Sequence, residues 1–359
     1  MADGDHIKYS ISEVAQMAGV SPSTVSRALN GKKGVGNEQR EKIIRLAEKL
    51  GYQPNSLLHS HGAAVRKGLI ALIVGDIRNP FYADLEYQIQ RILSANGDYM
   101  VVVFNTEYAV DRELAILQMA ERSGFSGIIM VTAQSEELQE ALAGSSMPKV
   151  LVNRILPSYR GDSVLTDNFQ AGYLAAMHLI DLSHKNIGYV RGPLISSASF
   201  QRFEGFRQAL SNFGLSIREE NIFDCDLMFE SGRRCGEEFL ARDYKDRPTA
   251  MVVGNDSAAL GFIDACRKAG VSIPEELSVI SFDDIVYSSI EGINLTTVSQ
   301  HVEEMSRETA RLLLRQLEGN AVKPERIIIS PELIVRGTTA APASTWQAHE
   351  IPKTDRRSV

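Results

Sequence analysis

The sequence predicts an α/β protein with a helical head: an N-terminal three-helix unit of the helix-turn-helix type, a hinge linker, and two doubly wound parallel α/β lobes. Three observations predict it. Residues 11–52 show helical periodicity, broken at Gly19 and restarted at Ser21-Pro22. From Leu69 onward, short continuous apolar runs alternate with amphipathic stretches, the pattern of buried parallel strands covered by helices. The alternation persists for about 270 residues, too many for one sheet and one core, so two lobes are expected.

In the head, Ile11, Val14, Ala15 and Ala18 recur at the spacing of one helix face. Ser21 is placed to N-cap a second helix, with Pro22 at its first position, where a missing N–H costs nothing. Val25 and Leu29 then face inward, leaving Ser23, Thr24, Ser26 and Arg27 on the outer surface. A third helix starts at Asn37, its expected cap, buries Ile43, Leu46, Ala47 and Leu50, and stops at Gly51. Two short helices around a tight Gly-containing turn, the second of them polar, have the geometry that lays a helix in the DNA major groove. A plain three-helix subdomain is the competing reading. The small hydroxyls and single arginine on the outer face suit phosphates and base edges better than surface ion pairs.

Gln53-Pro54-Asn55 breaks the chain, and SLLHSHGAAVRKG to Gly68 lacks a full apolar face, as a linker does. Strands are then expected at 69–74, 99–104, 127–131, 149–153, 164–167, 186–190, 222–225, 250–254, 277–282, 326–329 and 332–336. Helices are expected at 82–96, 110–123, 135–143, 170–183, 199–213, 231–242, 257–269 and 302–318. The last stretch carries Pro, Ser, Thr and charges without periodicity or a leucine heptad, and reads as a disordered tail. The expected organisation is a head at 1–53, a hinge at 54–67, a two-lobed body at 68–341 and a tail at 342–359.

Composition bounds the function. The 359 residues are 44% hydrophobic and 23% charged, normal for a globular protein of two or three domains. The net charge of −7 hides an asymmetry: residues 1–68 hold 10 Lys+Arg against 6 Asp+Glu, and the remainder 28 against 39. A basic head on an acidic body confines nucleic-acid contact to the head. No apolar run is long enough to span a bilayer, and the polar, acidic start MADGDHIKYS is no secretory signal. Cys225, Cys235 and Cys266 are odd in number and lack metal-site spacing, so they read as reduced thiols of a cytoplasmic protein with no metal or cofactor.

Taken in order, VSPSTVSRALNG, LGYQPN, DIRNPFYADL, RFEGFRQAL, VVGNDSAALG, LSVISFDDI and RGTT resemble the LacI/GalR family of bacterial transcriptional regulators, over roughly residues 10–340. The resemblance implies lobes like those of periplasmic sugar-binding proteins, with a ligand in the cleft between them. It implies that Pro22, Ser23 and Arg27 face bases, Arg27 with the fork for a bidentate guanine contact. A phosphate contact is the alternative role for Arg27. Ser21, Thr24 and Asn30 would touch the DNA backbone, and Lys32 and Lys33 would add salt-dependent affinity.

At the hinge the sequence departs from the family. His61 stands where relatives that kink their operator insert a leucine into the minor groove, and histidine is a poorer wedge. Leu58 replaces a small residue, and Leu57 and Leu58 could pack hinge against hinge. In the cleft, the resemblance assigns ligand contact to Phe81, Tyr82, Asp167, Arg202, Asn255 and Asp283. Read without the family, Phe81 and Tyr82 fit lobe packing, and Asn255 and Asp283 fit turn caps. Leu227 occupies a position where many sugar-responsive members carry an aromatic, with Met228 and Phe229 beside it.

The expectation is a homodimeric repressor of operator DNA controlled by a small effector, a sugar or sugar derivative. Two other readings remain: a ligand-binding protein without regulatory role, and a regulator controlled by a protein partner. An enzyme is disfavoured. The chain lacks GxGxxG, P-loop, GxSxG and HExxH motifs, and adjacent Asp283 and Asp284 would point to opposite faces of a strand.

Overall fold

The computed structural model describes residues 11–29, 34–50, 68–97, 99–132, 135–154, 156, 158–320 and 323–343. The expectations for Asn30, Lys32, Lys33, the hinge residues Leu57, Leu58 and His61, and nearly all of the tail fall outside them. The chain divides into two units between Val65 and Arg66.

The first unit holds α1 (Ile11–Ala18), α2 (Pro22–Leu29) and α3 (Asn37–Lys49). Val14, Ala15, Val25, Ala28 and Ile43 form its core, with Ile11, Ala18, Leu29 and Leu50 packed around them. Asn37 is already helical, and the Arg40 amide donates to the Gly36 carbonyl at 2.9 Å. The cap of α3 is therefore Gly36, one residue before the expected Asn37.

The second unit contains two six-stranded sheets among the described residues. The first lobe runs β1 (Gly68–Val74), α4 (Pro80–Gly97), β2 (Tyr99–Asn105), α5 (Val110–Arg122), β3 (Gly127–Met130), α6 (Glu136–Gly144), β4 (Lys149–Val152) and β5 (Ser163–Thr166). The second runs α7 (Asn168–Asp181), β6 (Ile187–Arg191), α8 (Ser197–Asn212), β7 (Ile222–Asp224), α9 (Phe229–Leu240), β8 (Ala250–Val253), α10 (Asp256–Lys268), β9 (Ser278–Asp283) and β10 (Thr296–Ser299). The chain returns to the first lobe as α11 (Val302–Leu317) and β11 (Arg326–Ile329), and ends in the second as β12 (Glu332–Ile334).

Strand order is β11-β5-β4-β3-β1-β2 in the first sheet and β12-β10-β9-β8-β6-β7 in the second. All pairs are parallel except β10 with β12, an antiparallel edge that the expectation of parallel sheets did not include. Strand β10 is also absent from the expected set. Its sequence, TTVS, is polar yet wholly buried.

Helices cover both faces of each sheet. Phe81, Leu85, Ile89 and Leu93 of α4 share a core with Leu312 and Leu313 of α11 and with β1. Tyr189, Phe203 and Phe206 interlock in the second lobe, the tyrosine ring 5.0 and 4.9 Å from the two phenylalanines. There α7 and α8 cross almost backbone to backbone. A β-carbon on Gly172 would stand 1.8 Å from the Arg202 carbonyl oxygen, and one on Gly205 would stand 1.9 Å from that of Phe169. This crossing fixes the depth at which the Arg202 side chain leaves α8.

The lobes are joined by three chain crossings, at β5–α7, β10–α11 and β11–β12. The first and third run side by side, where the Asp167 amide donates to the Ile329 carbonyl at 3.0 Å.

Candidate functional site

In the head, the start of α2 is built by its own side chains. The Ser21 hydroxyl accepts from the Thr24 amide at 3.3 Å and shares hydrogen bonds with Ser23 Oγ at 2.8 Å and Thr24 Oγ1 at 2.9 Å. The expected cap is therefore present. Val25 and Ala28 face the core, Ser21, Pro22, Ser23 and Arg27 are exposed, and Thr24 and Ser26 are half-buried. The helix thus offers hydroxyls, orphan N–H groups at its positive end and one guanidinium on a single solvent face.

In the body, a cavity of about 370 Å³ opens between the lobes. Its first-lobe wall is Asp76, Arg78, Glu107, Tyr108, Val110 and Arg154, from loops that follow β1, β2 and β4. Its second-lobe wall includes Pro193, Ile195, Ser196, Ser199, Asp226, Leu227 and Met228, which follow β6 and β7. Every contributing loop lies beyond the carboxyl end of a parallel strand, where open α/β sheets bind ligands. Glu107, Tyr108, Asn153, Leu227 and Asp283 hold positive φ values of 51 to 111°. Non-glycine residues in that region carry strain that the surrounding structure must hold, and such strain gathers at binding sites.

Next to the cavity lies a buried polar network. Arg202, 5% exposed, donates from Nε to Asn168 Oδ1 at 2.8 Å, from Nη1 to the Gly254 carbonyl at 2.9 Å and from Nη2 to Asp283 Oδ1 at 3.3 Å. Its guanidinium also stands 4.8 Å from the Phe282 ring centroid. Gln300 donates to Asp283 Oδ1 at 2.6 Å and accepts from Asn153 Nδ2 at 2.7 Å and Thr166 Oγ1 at 3.2 Å. Asn168 closes the loop by donating to Asn153 Oδ1 at 3.1 Å. The network ties first-lobe Asn153 and Thr166 to second-lobe Arg202 and Asp283 through Gln300, which sits on the β10–α11 crossing. Burial raises the Asp283 carboxyl above the usual range, and the Arg202 charge works against it.

The six residues assigned to the ligand by resemblance are distributed as follows. Arg202 and Asp283 are side by side, satisfied by each other and by the network. Phe81 and Tyr82 are buried with rings edge to face at 5.5 Å, and Tyr82 reaches the cavity wall through a 3.3 Å contact with the Tyr108 hydroxyl. Asn255 caps α10, accepting from the Ala258 amide at 3.0 Å. Asp167 caps α7, accepting from the Gln170 amide at 2.9 Å, and is exposed. Leu227 lines the cavity, seated in space that a β-carbon on Gly192 or Gly254 would otherwise occupy.

Asp283 and Asp284 diverge as expected: Asp284 pairs with Arg336 Nη2 at 2.6 Å. The wall residues Asp76, Arg78, Glu107, Tyr108, Arg154, Ser196, Ser199 and Asp226 were missed by sequence reasoning. The signal that could have found them is position alone, in the segments that follow strand ends: Asp76, Glu107, Tyr108, Arg154 and Asp226 lie two or three residues past one. The three cysteines are free and buried. No group of three metal-ligating side chains and no helix long and apolar enough to cross a membrane occurs among the described residues.

A helix-turn-helix unit followed along the chain by a two-lobed α/β unit with a cleft is the organisation of ligand-responsive regulators, and the comparisons with known proteins agree. Residues 10–55 match the lacI family of bacterial regulatory proteins, and residues 176–339 match the periplasmic binding protein-like domain. The chain is 32% identical to the HTH-type transcriptional regulator DegA of Bacillus subtilis (strain 168), over 93% of this chain and 99% of that one. It is 32% identical to catabolite control protein A of Priestia megaterium, covering 93% and 100%. Among solved structures, a complex of the transcriptional regulator CelR with cellobiose superposes with a TM-score of 0.69 at 27% identity, covering 92% and 100%. A LacI family regulator from Enterococcus faecium with bound ribose gives 0.68 at 27% identity, covering 77% and 100%. The chain belongs to the lacI family, and is a DNA-binding transcriptional repressor with a periplasmic-binding-type effector domain.

Proposed function

We propose that the inter-lobe cavity is the effector site, that the effector is a small hydroxylated molecule of the sugar class, and that its binding sets operator affinity in a cytoplasmic homodimer. The observation that carries this is the placement of the cavity beside the Arg202–Asp283–Gln300 network. The cavity is walled by both lobes, and the network spans both at a chain crossing. A ligand touching both walls favours one lobe arrangement over another, and it biases DNA affinity only by its differential affinity for the two. Relatives solved with cellobiose, ribose and D-xylulofuranose support a sugar-type ligand.

On the DNA side, Arg27 reads a base pair in each half-site, while Ser21, Thr24, Ser26 and Asn30 hold the backbone and Pro22 and Ser23 approach base edges. Leu57, Leu58 and His61 belong to the hinge that meets the minor groove. A single head offers few base contacts, so specificity requires two heads on a two-fold operator.

The test pairs a thermal-shift screen of sugars and their derivatives with operator titrations in the presence and absence of each hit. A ligand that binds the native state raises the melting temperature, and the proposal expects the same ligand to shift operator affinity. Ser199→Trp fills the cavity and is expected to abolish both responses. A hit that acts equally on wild type and Ser199→Trp places the effector elsewhere.

A further inference from the structure

Cys225 and Cys235 share the wall of a second cavity. It measures about 560 Å³ and lies beyond the ends of β6 and β7, against α9. Pro193 and Asp226 line both this cavity and the inter-lobe one, so the two adjoin. Cys225 follows β7 directly, and Cys235 projects from α9 to donate to the Asp224 carbonyl at 3.6 Å, one peptide away from Cys225. The two thiols hydrogen-bond each other. The Cys225 sulfur also stands 3.0 Å from Ser231 Oγ and accepts from the Leu227 amide at 3.2 Å. The contact with Cys235 draws the Cys225 thiol below its usual range, and the same contact pushes Cys235 above its own. A thiolate therefore arises more readily at Cys225, in a cavity that also carries Arg191 and Arg234. Cys266 is the contrast: it is 0% exposed, burial pushes it up to about 12, and it lines neither cavity.

We propose that Cys225 and Cys235 form an oxidation site, converted by hydrogen peroxide to an intramolecular disulfide that remodels the neighbouring wall of the inter-lobe cavity. The Cys225 thiolate attacks one peroxide oxygen; an S–O bond forms, the O–O bond breaks, and the departing hydroxide takes up the proton the thiol released and leaves as water. Cys235 then attacks the sulfur of the Cys225 sulfenic acid; the S–S bond forms, the S–O bond breaks, and hydroxide leaves as water with the Cys235 proton. Two thiols lose two electrons and two protons, peroxide gains both, and two waters result. Oxidation of Cys225 also removes the contact that held the Cys235 proton. Asp226, Leu227 and Met228 follow Cys225 and wall the inter-lobe cavity. Leu227 holds a φ of 65°, a strained conformation supported by its amide's bond to the Cys225 sulfur. A disulfide turns that sulfur toward α9 and makes it a poorer acceptor, so the Leu227 amide loses its partner and the wall loosens. The consequence for the effector rests on the reading of that cavity as the effector site; the disulfide itself does not.

Two measurements on the full-length protein test this without any effector. The first maps the bond. Wild type is treated with hydrogen peroxide, its remaining thiols are alkylated in denaturant, and it is digested with trypsin, which separates the two cysteines at Arg233 and Arg234. A linked Cys225–Cys235 peptide pair is expected, reversed by dithiothreitol, with Cys266 alkylated. Cys235→Ala is expected instead to accumulate the Cys225 sulfenic acid, trapped by dimedone. Absence of the linked pair, or oxidation of all three cysteines at one rate, overturns the site. The second is amide hydrogen exchange over residues 226–229. The Leu227 amide is expected to exchange at least about tenfold faster in the disulfide form than in the reduced form. Unchanged exchange in the disulfide form overturns the remodelling of the wall. Both readouts are independent of the sugar screen. If the disulfide forms and Leu227 loosens while Ser199→Trp leaves the sugar response intact, the oxidation site stands and the effector site lies elsewhere. If no disulfide forms while Ser199→Trp abolishes the sugar response, the oxidation site alone is removed.

Discussion

Arg202 holds Asn168, Gly254, Asp283 and the face of Phe282 at once, and this changes what a substitution at Asp283 should do. The ion pair is buried on both sides, at 6 and 5% side-chain exposure, so weakening it leaves charge in a poorly solvated place. Asp283→Asn is expected to lower unfolding free energy by about 1–3 kcal/mol, because the amide still fills the space while a charge-assisted bond is lost. Urea denaturation measures this, and an unchanged midpoint would show that the pair contributes no net stability. Loss of effector response in this variant therefore has to be read beside its stability. Arg27 is the opposite case, exposed on α2. Arg27→Ala should weaken operator binding by about 1–3 kcal/mol and relax preference at one base pair per half-site. Titration against all single-base operator variants checks it; a uniform loss across them would reduce Arg27 to a phosphate contact.

At the scale of elements, the α7–α8 crossing is a tightly constrained contact near the site. Gly172→Ala forces a methyl group to 1.8 Å from a carbonyl oxygen, so the helices must separate. We expect destabilisation of about 1–3 kcal/mol from overpacking, with weakened effector binding because Arg202 moves with α8. Calorimetric melting of Gly172→Ala beside an exposed control such as Gly292→Ala, where an added β-carbon meets nothing within 4 Å, resolves the packing effect. The end of β9 is pinned by Asp256, which accepts from the Ile285 amide at 2.9 Å and from Ser288 and Thr297 hydroxyls at 2.7 Å each. Burial, and then the Asp283 charge, push Asp256 up to about 7, and burial does the same to Glu113. Both carboxyls keep protons in the folded state that the unfolded chain releases above its ordinary carboxylate range. Their contribution to stability is present below that range and is lost as pH rises toward about 7. Melting temperature should fall across this window, and Glu113→Gln should flatten the fall. An equally steep profile in Glu113→Gln would remove Glu113 from the account.

The whole molecule is expected to be a dimer. Val286, Tyr287 and Ile290 present apolar side chains at 71, 46 and 48% exposure on one short segment after β9, surface that a subunit interface would cover. Light scattering should give twice the chain mass, and Tyr287→Glu should shift it toward the monomer with loss of operator affinity. The C-terminal end of the body is tied in through Thr338, whose carbonyl accepts from the Val279 amide at 2.7 Å, and through the Ala340 amide, 3.0 Å from Ser278 Oγ. Deletion of residues 345–359 removes none of these bonds and should leave the dimer and operator binding intact. A tetramer that falls to a dimer on deletion would contradict this.

Local rules carried the reading a long way. The head, its Ser21 cap, the alternation of strands and helices, and the two lobes follow from periodicity and turn chemistry, which are properties of neighbouring residues. Strand β10 did not follow, because TTVS looks polar. It is buried only because Thr297 donates to Asp256 and Thr296 meets Thr338 and Thr339, partners about 40 residues away. The site divides the same way. The family resemblance placed Arg202, on α8, and Asp283, at the end of β9, in one cleft. Their pairing with each other could not be read from spacing. Whether a buried charge is satisfied depends on which side chains from distant segments arrive within hydrogen-bond reach. The sequence by itself determined the family, the order of the elements and every body strand but β10; tertiary packing alone decided that β10 forms and which buried charges are paired, because both depend on side chains that arrive from distant segments.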